Sequence, residues 1–249
     1  MKHVPREIRR CACQLRRLTS DRLTGDRQSL AGLDGNNASV GASFPTQLKL
    51  EQPVLSTEYV EAKIRNIEIA VTRLQNVPVP PGGIFSFWHI VGRPAKARGF
   101  LPGRSLLGGR LEADYGGGLC QLSGILYHLS LEAGLKILER HPHSRDIYDD
   151  RTRYTPLGAD ATVSFGFKDL RVLNNLPAPF CFNASVAPDR ISVALCSPEH
   201  IEKHIVEFVT TSQADGVCTV ETRRRHPGDS RFCVLNVSTY RRLNCAWLA

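Results

Sequence analysis

Gly116-Gly117-Gly118-Leu119-Cys120-Gln121 is the stretch on which the reading of this chain turns. After it, Leu122, Ile125, Leu126, Leu129 and Ala133 recur at helical spacing and Gly134 stands where a helix would close, which predicts a helix from Leu119 to Ala133. Cys120 then lies at a helix N-terminus, where orphan N–H groups and the helix dipole favour the thiolate over an ordinary thiol of pKa about 8.5. Three preceding glycines let a substrate backbone approach closely and reach φ values that other residues avoid. Gly124 shares the helical face of Cys120 and is expected to leave that face open beside the sulfur. The triplet lacks the spacing and the lysine of a phosphate-binding loop, which speaks against nucleotide chemistry. The competing reading is a plain turn into a helix with an inert, buried cysteine.

Working outward, Val60, Ile64, Ile67, Val71 and Leu74 predict an earlier helix over Thr57 to Asn76, with Ser56 and Thr57 as caps and Val77-Pro78 as its end. Pro80-Pro81-Gly82-Gly83 reads as a turn and Ile84 to Trp88 as a strand. Leu135 to His141, Ala161 to Phe167 and Leu170 to Leu173 read as further strands, and Phe180 to Val186 with Ile191 to Leu195 as a hairpin. These patterns predict an α+β fold: an antiparallel sheet packed against two main helices, with the cysteine at the N-terminus of the second. That order is compatible with a papain-like or transglutaminase-like arrangement. Three regions follow: 1–45, a basic, loosely ordered arm; 46–198, the main domain; and 199–249, a β-rich extension that carries Arg223-Arg224-Arg225.

Acyl transfer needs a nucleophile, a base and oxyanion donors. Cys120 is the candidate nucleophile. His141 and His143 end the returning strand, so either could reach it; His143, at the loop edge, is the preferred base, and Asp160 is the candidate for orienting it. Backbone N–H groups near Cys120, with the Gln121 amide, are candidate oxyanion donors, and Arg93, Arg104 or Arg110 could pair with a substrate carboxylate. A metal reading would use Cys120, His128, His141 and His143, but these show no standard ligand spacing, so neither metal nor other cofactor is expected.

The formal net charge of +8 is concentrated at the start: residues 1–27 hold eight basic side chains against Glu7, Asp21 and Asp26. Contact of this arm with an anionic surface is the minor reading of such a charge run, and nucleic-acid binding is not expected, since no aromatic residues interleave the basic ones. Arg9-Arg10 is followed by no apolar h-region, and no stretch approaches the length of a membrane span, so the sequence reads as soluble and without an export signal, hence cytoplasmic. Of the eight cysteines, seven read as structural.

The chain resembles the VanW domain family, named from a vancomycin-resistance gene cluster. The resemblance runs from about residue 57 to 195. Its carriers are Asn66 and Ala70, Pro81-Gly82, Phe85-Ser86-Phe87, Val91-Gly92, Gly99-Phe100, the run Gly116 to Gln121, Glu139-Arg140, His143-Ser144 and Gly158 to Thr162. It implies a cell-wall protein, with some members looking like cysteine-dependent L,D-transpeptidases that join peptidoglycan stem peptides through a thioester. Carried over, Cys120 is the nucleophile and His143 the base. The residues expected to bind substrate are Gly116, Gly117, Gly118, Gln121, Arg93, Arg110, His141 and Ser144. Such a partner would place the protein at the cell envelope. The alternative is a non-catalytic module that binds cell-wall peptide.

Overall fold

In the computed structural model the helix begun by Leu119 is enclosed on every side: of its 14 residues, only Cys120 and His128 are not buried. The residues described are 5–32, 41–55, 58–107, 110–146 and 155–242, without the side chains of 6, 104–107, 110–113, 145–146 and 242. In chain order the elements are α1 (Arg6–Leu23), α2 (Asp26–Ser29), β1 (Thr46–Pro53), α3 (Val60–Leu74), β2 (Ile84–Ser86) and α4 (Phe87–Val91). A 3-10 turn (Lys96–Arg98), β3 (Pro102–Leu107), β4 (Arg110–Tyr115), α5 (Leu119–Glu132), β5 (Lys136–Glu139) and β6 (Arg145–Asp146) follow. The last are β7 (Arg171–Leu173), β8 (Cys181–Val186), β9 (Arg190–Cys196), β10 (Ile205–Ala214), β11 (Val217–Arg225) and β12 (Cys233–Arg242).

The fold is mixed α and β, with antiparallel sheets and few helices. The sheets run β1-β9-β8, β2-β7-β5 and β10-β11-β12-β6, beside the β3-β4 hairpin; among the described strands the β12-β6 pairing is parallel and the others are antiparallel. Asn66, Ile67, Ala70, Val71 and Leu74 turn one stripe of α3 inward, and Phe85, Phe180 and Phe182 meet edge to face in the core. The expected one-sided burial of α5 gives way to full enclosure because the C-terminal sheet covers its remaining side. Phe208 of β10 meets the His128 ring at 5.2 Å, and Arg224 of β11 donates to the Leu135 carbonyl at 2.8 Å.

Several expectations from the sequence are corrected. The 161–167 stretch, read as a strand, pairs with no sheet. It runs along α5 instead, where the Ser123 hydroxyl donates to the Ala161 carbonyl at 2.6 Å and Thr162 N–H donates to the His141 carbonyl at 2.7 Å. The strand expected over Ile84 to Trp88 stops at Ser86, because the Ser86 hydroxyl accepts from His89 N–H and Asp169 accepts from Trp88 N–H, which starts α4. The arm expected to be loose forms the 18-residue helix α1, held by ion pairs from Arg17 to Glu139 and Asp169. Gly124 leaves no open face: the backbone of 159–161 packs against it. The caps expected at Ser56 and Thr57 lie outside the described residues; α3 begins after Tyr59, without a side-chain cap.

Asn66, fully buried in α3, donates to the carbonyls of Leu101 (3.0 Å) and Gly117 (3.1 Å) and accepts from Leu101 N–H (2.8 Å). It thereby ties the glycine run to the first helix. Asn66→Ala deprives three peptide groups of their partner, the buried Gly117 carbonyl among them, and is expected to lower the unfolding free energy by about 1–3 kcal/mol in urea titrations; no measurable loss would contradict this role.

Candidate functional site

The site begins with the chain reversal that places Cys120. Gly116 and Gly118 have φ of 92° and 95°, a left-handed conformation open to glycine, and at Gly118 any side chain would strike the Lys63 stem. Leu119 N–H and Gln121 N–H are taken by the carbonyls of Gly116 and Gly118. Among the described residues no backbone carbonyl outside the helix accepts from Cys120 N–H. The half-buried thiol lies 3.7 Å from the Val163 carbonyl, to which it can donate.

Opposite the thiol stands His143. Its Nδ1 is 2.7 Å from Asp160 Oδ2, and its backbone N–H donates to the same oxygen at 2.6 Å. Asp160 Oδ1 accepts from the Tyr240 hydroxyl (2.6 Å) and from Arg140 Nη2 (3.0 Å). Arg140 also donates to the Asp160 and Gly158 carbonyls, to Ser238 and to Tyr240, and lies over the Tyr127 ring at 5.0 Å. The backbone of 159–161, which carries Asp160, packs against α5 at Gly124.

The electrostatics follow from these contacts. Burial would raise the Asp160 carboxyl, but the His143 hydrogen bond, the Arg140 charge and the Tyr240 hydroxyl hold it well below the usual carboxylate range. Burial would lower the His143 imidazole; its bonds to Asp160 and to Cys120 instead raise it to about 10. Burial would likewise raise the Cys120 thiol, but the hydrogen bond and charge of His143 outweigh this and lower it. The arrangement favours a thiolate beside an imidazolium.

Other candidate residues go elsewhere. His141 Nε2 contacts Glu139 at 3.0 Å rather than Cys120. Gln121, expected near the oxyanion, turns its amide away from Cys120 to the Pro53 carbonyl (2.9 Å) and Gln52, because α5 packs on β1 there. Arg93, expected to bind substrate, pairs with Glu7 of α1 at 3.4 Å. Ser144 is exposed, and its carbonyl accepts from Arg241 N–H. The side chains of Arg104 and Arg110 lie outside the described residues. His128 packs on Phe208 and Glu132, so the four metal candidates are not gathered; among the described residues no His, Cys, Asp and Glu cluster is suited to a metal.

The family model described as "VanW like protein" matches residues 62–196. The chain belongs to the VanW family. It is 30% identical over 145 residues to "Uncharacterized protein YoaR" of Bacillus subtilis (strain 168), covering 58% of this chain and 46% of that protein. It is 33% identical over 117 residues to "Vancomycin B-type resistance protein VanW" of Enterococcus faecalis (strain ATCC 700802 / V583), covering 47% of this chain and 42% of that protein. The chain thus spans less than half the length of these curated relatives, and no solved structure matches it.

Arg140 and Tyr240 were missed as site residues. For Arg140 the signal was its place in the Glu139-Arg140 pair that carries the VanW resemblance; Tyr240 lies beyond the matched residues and had none.

Two measurements test the electrostatics. The rate of iodoacetamide alkylation of Cys120 against pH is expected to inflect below the free-thiol value of about 8.5. In His143→Ala the inflection should move upward, since burial then loses its main counterweight; equal inflections would refute the coupling. Arg140→Met leaves the buried Asp160 carboxylate with His143 and Tyr240 alone and is expected to cost about 1–3 kcal/mol of stability in urea titrations.

Proposed function

We propose that the protein performs cysteine-based acyl transfer on peptidoglycan stem peptides, in the manner of an L,D-transpeptidase, at the cell envelope. The observation that carries this reading is the position of the His143 ring, bonded through Nδ1 to Asp160 and near enough to Cys120 to lower its thiol. Asp160 fixes the imidazole, which leaves Nε2 for the proton of the reaction. The Cys120 thiolate attacks the donor carbonyl, the C–N bond breaks, and the departing amine takes its proton from the His143 imidazolium. An acceptor amine then attacks the thioester and gives its proton to His143, which restores thiolate and imidazolium. The N–H of Cys120, which no backbone carbonyl outside the helix takes up among the described residues, is the backbone donor assigned to the oxyanion. A cysteine at a helix start, followed in the chain by histidine and aspartate, follows the papain-like order, although Asp160 lies on a segment outside any sheet. The resistance named for the Enterococcus faecalis relative supports a substrate in the cell wall.

The test is incubation of the purified protein with stem tetrapeptide. Mass spectrometry is expected to find an acyl adduct on Cys120 and a cross-linked product, both absent in Cys120→Ala. His143→Ala should slow adduct formation by about 10²–10⁴-fold. Binding of peptidoglycan without adduct or product would establish the non-catalytic module instead.

A further inference from the structure

Helix α1 is docked inside out. Arg10, Gln14, Arg17 and Asp21 recur on one face and turn toward the body. The stems of Arg10 and Gln14 cover Gly166, Arg17 reaches Glu139 at 2.7 Å and Asp169 at 3.2 Å, and Asp21 receives Arg171 at 2.8 Å. The helix is therefore anchored by ion pairs rather than by burying its apolar residues. Those point away: Ile8 is 59% exposed, Leu15 67% and Leu18 48%. A surface helix ordinarily places its apolar stripe against the core.

The charges beside this stripe select what covers it. Arg9, Arg16 and Arg22 are exposed on the outward half of α1. Of the two carboxylates of the helix, Asp21 is buried and Glu7 pairs with Arg10 and Arg93. Two copies joined through this face would bring their arginines together with no free α1 carboxylate to offset them. A nucleic acid would match the arginines but leave the leucines in water. A bilayer with anionic headgroups satisfies both: apolar side chains enter the boundary of the acyl chains, while guanidinium groups meet lipid phosphates. We infer that α1 is an interfacial helix that lies on anionic phospholipid membrane, with Ile8, Leu15 and Leu18 inserted and Arg9, Arg16 and Arg22 on the phosphates. Through the Arg17 and Asp21 ion pairs, it would hold the body of the protein against that surface.

The experiment is co-sedimentation of the full chain with vesicles of phosphatidylcholine, with or without phosphatidylglycerol. Partition is expected to be about tenfold stronger on the anionic vesicles and to weaken with salt. Leu15→Gln with Leu18→Gln should reduce it about tenfold at unchanged salt, and Arg9→Gln with Arg16→Gln should reduce it and flatten the salt dependence. An unchanged rate of Cys120 alkylation in both variants shows that the fold is kept. Equal partition onto neutral vesicles, or binding indifferent to the leucine changes, would overturn the inference. So would a concentration-dependent dimer in light scattering that Leu15→Gln with Leu18→Gln abolishes.

Discussion

The contact between Arg140 and Asp160 determines the rest of the site. Both are withdrawn from bulk water, and such a pair is sustained only when every remaining lone pair and N–H finds a partner. Here the partners come from distant parts of the chain: Tyr240 and Ser238 from β12, Gly158 from the preceding turn and His143 from the end of the returning strand. One carboxylate therefore joins the C-terminal sheet to the cysteine helix and also sets the charge of the imidazole. Because Arg140 and Tyr240 occupy one Asp160 oxygen, the other is left to His143. The carboxylate stays ionised, so the imidazole beside it is held in its protonated form.

A second constraint acts on the thiol. The two left-handed glycines, with Asn66 gripping the Gly117 carbonyl, hold the entry into α5 in one geometry. Burial would suppress ionisation of Cys120; the imidazolium opposite reverses that. The enclosure of α5 serves the same end, since a helix packed on all sides offers solvent little more than the residue at its first turn and His128.

Much of this was legible in sequence. The glycine run, the helix after it and the β8-β9 hairpin rest on local patterns that the backbone obeys wherever they occur. The residues brought together at the site, Cys120, His143 and Asp160, were also named from sequence, Cys120 by the helix start; His143 and Asp160 lie on irregular segments rather than on the strands read for them. Gln121 was misjudged, since its direction depends on which strand packs beside α5. The 161–167 stretch alternates like a strand, yet its hydrogen bonds go to α5 and His141. At α1, high charge suggested disorder, but the carboxylates that order it lie more than a hundred residues away, at Glu139 and Asp169.

The sequence by itself determined where the Cys120 sulfur sits and how the chain turns to present it, because those depend on glycine freedom and helix periodicity within one short stretch. Only the tertiary structure decided the ionisation of that sulfur, the orientation of Gln121 and the direction faced by the apolar side of α1. Each of these depends on partners remote in sequence, which no local pattern encodes.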